Sequence, residues 1–139
     1  MFRLAALAGA LLFIAAACSS APAATATGGQ LTATLTDNAI QLSQPTVPNG
    51  PVTITVKNAG SVVHTLVVLK TNLAADKIPF DAADQTKADE RGRVGGTASQ
   101  LQPGQTVELK LDLTAGKYVL MCNEPAHYQI GMHAPLTVN

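Results

Sequence analysis

From residue 30 to the C-terminus, apolar and polar side chains alternate with a period of two, and that alternation restricts the chain to one class of fold. Residues 30–36 (QLTATLT), 52–57 (VTITVK) and 106–113 (TVELKLDL) each place every second side chain on an apolar face, the pattern of a strand buried on one side. Shorter runs at 39–42, 117–122 and 134–138 continue it. Residues 62–69 (VVHTLVVL) are almost continuously apolar, as expected of a strand covered on both faces. Pro45, the turn PNGP at 48–51 and NAG at 58–60 punctuate the runs. Seven short strands with tight turns predict an all-β fold, an antiparallel β-sandwich with Greek-key connections. Hydrophobic residues make up 47% of the chain but aromatics only 4%, with no Trp, so the core must be built from Val, Leu, Ile and Ala.

Residues 70–100 interrupt the alternation and hold ten of the eighteen charged residues. The segment reads as a short helical or loop insert; its one candidate helix covers residues 80–91, with Asp81 as the cap. As a surface feature it is either a solvated connection between two strands or a docking face for a partner.

The first 29 residues are of a different kind. Arg3 precedes 14 apolar residues, 4–17, too few to span a bilayer and the right number for the core of an export signal. Ala15, Ala16 and Ala17 lead directly into Cys18, a junction that resembles the lipobox of bacterial lipoproteins, in which the cysteine becomes the lipid-bearing N-terminus. The alternative is an ordinary secretory signal cut near Ala23 or Ala24. Residues 18–29, rich in Ser, Ala, Thr, Pro and Gly without charge, read as a flexible tether. The expected organisation is therefore a signal at 1–17, a lipidated Cys18 with its tether at 18–29, and one domain at 30–139. Net charge is zero for the whole chain, which gives no electrostatic case for nucleic acid.

If Cys18 carries lipid, Cys122 is left as the single cysteine of an exported domain, where an unoccupied thiol is prone to oxidation. Its surroundings offer an occupant. Cys122, His127 and Met132 follow one another with four-residue gaps, and His64 lies upstream within a predicted strand. Each residue alone has an ordinary structural reading: a small buried thiol, a core histidine, a methionine filling space. Together, a thiolate, two imidazoles and a thioether form a soft donor set that favours copper over magnesium, calcium or manganese. His64, Cys122 and His127 would make a trigonal plane with Met132 as a weak axial ligand. Met121 is expected on the opposite face of its strand from Cys122.

The segments KNAGSVVHTLVV and GKYVLMCNEPAHYQIGMHAPLTV resemble the cupredoxins, the type 1 blue copper proteins. The resemblance implies a Greek-key sandwich, one type 1 copper ion, and the positions His64, Cys122, His127 and Met132 as its ligands. It also implies one-electron transfer with redox protein partners by transient contact, through an apolar patch that would include Pro125, Ala126 and Ile130 around His127. Two positions depart from the common pattern: Thr65 replaces Asn or Ser, and Ala126 replaces Gly ahead of the second histidine. The expected protein is an extracytoplasmic, membrane-anchored, monomeric electron carrier and not an enzyme, since four protein ligands leave no open coordination position. A copper chaperone or buffer is the alternative function. A cysteine–histidine hydrolase using Cys122 and His127 lacks an orienting Asn or Asp and a substrate-sized cleft.

Overall fold

A computed structural model describes residues 28–139; the signal, Cys18 and nearly all of the tether lie outside the described residues. Nine strands form two sheets: β1 (Gly29–Thr36), β2 (Ala39–Leu42), β3 (Thr46–Val47), β4 (Gly50–Asn58), β5 (His64–Lys70), β6 (Ala98–Leu101), β7 (Thr106–Leu113), β8 (Gly116–Cys122) and β9 (His133–Val138). One sheet runs β2-β1-β4-β7 and the other β3-β9-β8-β5-β6. The seven expected strands are all present, with β3 and β6 added. The sheets are mixed: β1 pairs parallel with β4, and β3 with β9, while the remaining pairs are antiparallel. The purely antiparallel expectation is corrected there, because residues 43–49 carry the chain from one sheet to the other between β2 and β4 instead of closing a hairpin.

Alternation places Leu31, Ala33 and Leu35 of β1 and Val52, Ile54 and Val56 of β4 in the core with Leu66 and Val68 of β5 and Leu120 of β8. Each of the Leu, Ile and Val side chains among them stabilises the fold by about 1.5–3 kcal/mol on burial. At the end of β4, Asn58 is fully buried and closes the turn that follows. Its amide donates to the carbonyls of Val62 (2.8 Å) and Leu101 (2.9 Å), and its oxygen accepts from Gly60 N–H (2.9 Å).

The insert forms no helix. Asp81 Oδ1 does accept from the N–H groups of Ala83 and Asp84, as a cap would. However, Asp84 then takes the N–H and hydroxyl of Thr86 into a second turn, and such local side-chain bonds compete with the helical ladder. The segment instead lies over the outer face of the second sheet. Ile78, Ala88 and the loop residue Tyr128 bury Val67, Leu69, Val119 and Met121 in a second hydrophobic cluster. A connection that contributes buried side chains to such a cluster is more than a solvated link. It also accounts for the continuous apolar run of β5: Leu66 and Val68 face the sandwich core while Val67 and Leu69 face the insert. Met121 and Cys122 face opposite ways, as the strand period requires.

Candidate metal centre

Two strands and one loop bring the donor residues together. Leu66 of β5 pairs with Cys122 at the end of β8, so His64, two residues earlier, emerges on the same face as the thiol. Residues 123–132 then turn back through a series of tight bonds, including His127 N to Glu124 O, Gly131 N to Tyr128 O and Met132 N to His127 O. Cys122 N–H donates to Met132 O (2.9 Å), fastening the two ends of the loop to each other. Gly131 has φ +107, a backbone region that favours glycine, and it turns the chain from His127 toward Met132.

The convergence is close. His64 Nδ1 lies 3.2 Å from His127 Nδ1, and Cys122 Sγ lies 3.7 Å from the first and 3.4 Å from the second. A point equidistant from these three atoms is about 2 Å from each, which matches a metal–imidazole bond of about 2.0–2.1 Å. Three lone-pair-bearing atoms packed this tightly repel one another unless a proton or a metal ion lies between them. Among the described residues this is the one such group of His, Cys or carboxylate side chains. His64, Cys122 and Met132 are fully buried; His127 alone is partly exposed, in a loop whose Pro125, Ala126 and Ile130 are exposed. The donor set therefore fits a soft or borderline metal, and copper in particular, better than a hard cation.

Burial dominates the electrostatics of the donors. Burial, followed by the neighbouring His127, holds His64 below the ordinary histidine value, while Asp37 acts in the opposite direction. Burial also pushes the Cys122 thiol up, against the backbone N–H groups of Glu124 and Thr65, which favour the thiolate. Thr65 N–H stands 3.4 Å from Sγ. A metal binding here displaces the thiol proton.

Behind the donors lies a polar brace. Thr65 Oγ1 donates to Glu124 Oε1 (2.5 Å), Gln100 Nε2 donates to the same oxygen (2.9 Å), and Gln100 N–H donates to Thr65 Oγ1 (3.1 Å). Thus threonine at this position still ties β5 to the loop. On the other side of His64, Asp37 Oδ1 is 3.5 Å from Nε2. That is within ion-pair reach but too long for a hydrogen bond, so Nε2 is the single buried side-chain nitrogen or oxygen among the described residues without a hydrogen-bond partner. A buried donor left so costs about 1–3 kcal/mol.

The insert also grips the loop. Ala126 N–H donates to Thr86 O (2.7 Å), Gln129 Nε2 to Gln85 O (2.7 Å), and Tyr128 OH donates to Ala75 O (2.9 Å) while accepting from Ile78 N–H (2.8 Å). Asn123, beside Cys122, pairs through its side chain with both backbone groups of Ala88. Ala126 is held at φ 67, which explains why glycine suits this position. The left-handed region costs a residue with a Cβ about 1–2 kcal/mol, and glycine returns about 0.4–1 kcal/mol of that to the unfolded chain. Ala126→Gly should therefore stabilise the metal-free protein by about 0.5–1 kcal/mol, read from urea unfolding; a loss of stability would contradict the strained backbone. Asp37 and Gln100 give no signal in the sequence, Asn58 marks only a turn, and Asn123 and Glu124 are signalled by their adjacency to Cys122.

Comparison with known proteins agrees with this geometry. The structure is similar to dithionite-reduced auracyanin from the photosynthetic bacterium Roseiflexus castenholzii, at 26% identity over 79% of this chain and 96% of that one, with a TM-score of 0.59. It shares its fold with auracyanin A, a "blue" copper protein from Chloroflexus aurantiacus (24% identity, 80% and 100% covered, TM-score 0.53). The same fold occurs in rusticyanin from Thiobacillus ferrooxidans (19% identity, 79% and 76% covered, TM-score 0.56). No curated protein sequence matches the chain significantly. The family described as "Cupredoxin-like domain" matches residues 7–138, nearly the whole length, and together with the two-sheet fold and the His–Cys–His convergence this shows that the chain belongs to the cupredoxin-like family.

Proposed function

We propose that the protein is an extracytoplasmic one-electron carrier whose single copper ion is held by His64, Cys122, His127 and Met132. The observation that carries this reading is the approach of two imidazole nitrogens and a thiol sulfur to within 3.2–3.7 Å of one another beneath a loop that leaves only His127 near solvent. Copper bound there would accept and release one electron. The protein's own part is to hold the donors rigidly, through the Thr65–Glu124–Gln100 brace and the insert, so that little rearranges when charge changes. Burial of His64, Cys122 and Met132 favours a carrier over a chaperone or buffer, since handover of metal to an acceptor needs exposed donors. Four protein donors also leave no position for a substrate, in keeping with a carrier rather than an enzyme.

Electrons would pass at the His127 edge, where Pro125, Ala126 and Ile130 are exposed. Redox encounters of this kind are small and transient. In this reading residues 1–17 direct export, Cys18 bears the lipid that anchors the protein to the membrane, and 18–29 tether one monomeric domain. Adding Cu(II) to protein prepared without metal should produce an intense visible thiolate-to-copper band with narrow hyperfine splitting in the paramagnetic resonance spectrum. A pale spectrum of plain nitrogen and oxygen ligation would sink the proposal. For the patch, Ile130→Lys should slow electron exchange between oxidised and reduced copies at least about tenfold, because two like charges then meet across the contact. Line broadening in mixed samples measures it, and an unchanged rate moves the exchange face elsewhere.

A further inference from the structure

We infer that Asp37, with Gly60 beside it, is a positioning residue for the copper site: its carboxylate fixes His64 with the proton on Nε2 and the Nδ1 lone pair aimed at Cys122 and His127. The inference deepens the copper reading and rests on it for its effect on the potential.

The two ring nitrogens of His64 face different surroundings. Nδ1 points at the other donors. Nε2 is sealed from solvent without a hydrogen-bond partner, and a carboxylate oxygen stands 3.5 Å away. A neutral imidazole carries one proton, so a ring that offers Nδ1 to a metal must place its proton on Nε2. The carboxylate there is already fixed. Asp37 Oδ1 accepts from Ser61 N–H (2.7 Å) and, more distantly, from Val62 N–H (3.4 Å), and Oδ2 accepts from Ser61 Oγ (2.7 Å). These bonds hold the carboxylate against the 59–63 turn, which Asn58 closes from inside. With its oxygens so engaged, it needs to move only a few tenths of an ångström to accept from Nε2–H at an ordinary distance of about 2.7–3.2 Å.

Gly60 makes the space. A Cβ on it would stand 2.1 Å from Asp37 Oδ1 and 2.8 Å from His64 Nε2, so any side chain there would separate the carboxylate from the ring. Residues that hydrogen-bond the far nitrogen of a metal-bound histidine set its tautomer and orientation and raise its donor strength. A stronger, negatively backed donor favours the more highly charged metal ion. Asp37 therefore lowers the reduction potential of the site.

The full chain tests this with three variants. Asp37→Asn keeps the shape and the bonds to the 61–62 backbone but removes the charge. It should retain the visible band while shifting the Cu(I)/Cu(II) preference roughly tenfold toward Cu(I), a rise of about 59 mV for a one-electron couple. Gly60→Ala should shift it the same way. Ser61→Ala, which removes the bond to Oδ2 but keeps the charge and the backbone N–H bonds to Oδ1, should shift the potential clearly less than Asp37→Asn. An unchanged potential in Asp37→Asn, or an equal rise in Ser61→Ala, overturns the inference. Ring nitrogen shifts of the metal-free protein supply a readout that does not depend on copper. The His64 proton should reside on Nε2 in the wild type and redistribute toward Nδ1 in Asp37→Asn. A wild type with its proton on Nδ1 overturns the inference even where the copper protein is blue. Wild-type protein that shows the Nε2 proton but no blue band supports the role of Asp37 and removes the copper reading instead.

Discussion

The Cys122→Ser protein is expected to take up Cu(II) without colour. The intense visible band should vanish and the narrow hyperfine splitting should widen to that of ordinary nitrogen and oxygen ligation. Affinity should fall by more than the roughly 10–100-fold that loss of an outer hydrogen-bond partner costs a metal site. The reason lies in the donor set. Cys122 supplies the one group among the three converging atoms that can become an anion, and the one soft enough to set a blue copper spectrum. Serine fits the same volume, yet its hydroxyl stays protonated and hard.

Two controls separate this loss from unfolding. Thr65 N–H, 3.4 Å from Sγ, remains to donate to a serine oxygen, so the buried hydroxyl is not left wholly unpaired. Stability of the metal-free protein should fall by about 1–2 kcal/mol at most, and the far-ultraviolet spectrum of the sandwich should persist. A variant that unfolds has failed as a test, and Cys122→Ala then serves, since it leaves a small apolar gap and no polar group. A visible band that survives either substitution would show that the chromophore is not this thiolate.

The sequence made some of this legible and hid the rest for a physical reason. Apolar alternation exposed both sheets, because burial on one face imposes a period that local reading can detect. The grouping of His64 with Cys122 came from the chemistry of the donor set and the family resemblance; alternation did not place the two on adjacent paired strands of one sheet, which only the fold shows. The parallel pairing of β1 with β4 left no such trace, as a strand buried on one face looks alike whichever direction its neighbour runs. Asp37 reads as an ordinary hairpin residue between Thr36 and Asn38, and only the fold brings it to a histidine that follows another turn. The insert was misleading for a similar cause. Its charges are exposed and plentiful, whereas the residues by which it packs, Ile78 and Ala88, are isolated and show no period.

Loss of the Asn123 side chain should detach that insert and lower the stability of the metal-free protein by about 2–4 kcal/mol. Asn123 is nearly buried and sits directly after Cys122. Its oxygen accepts from Ala88 N–H (2.8 Å), and its amide donates to Ala88 O (3.1 Å) and Glu90 Oε1 (2.8 Å). Ala88 is itself buried, so Asn123→Ala leaves two backbone groups unsatisfied away from water, each costing about 1–3 kcal/mol. Water entering to satisfy them must pass between the insert and the sheet, opening the cluster of Ile78, Ala88 and Tyr128 over Val67 and Met121. Amide exchange should accordingly quicken through residues 75–90 while β1 and β4, which contribute no side chain to that cluster, keep their protection. Asn123→Asp discriminates further. It retains the acceptor for Ala88 N–H but loses the donor to Ala88 O and sets a carboxylate against Glu90, and it should destabilise at least as much as alanine. Exchange that instead quickens evenly across both sheets would mean the insert and the sandwich open as one unit. The metal loop would then owe its rigidity to the sandwich core rather than to the segment packed beside it.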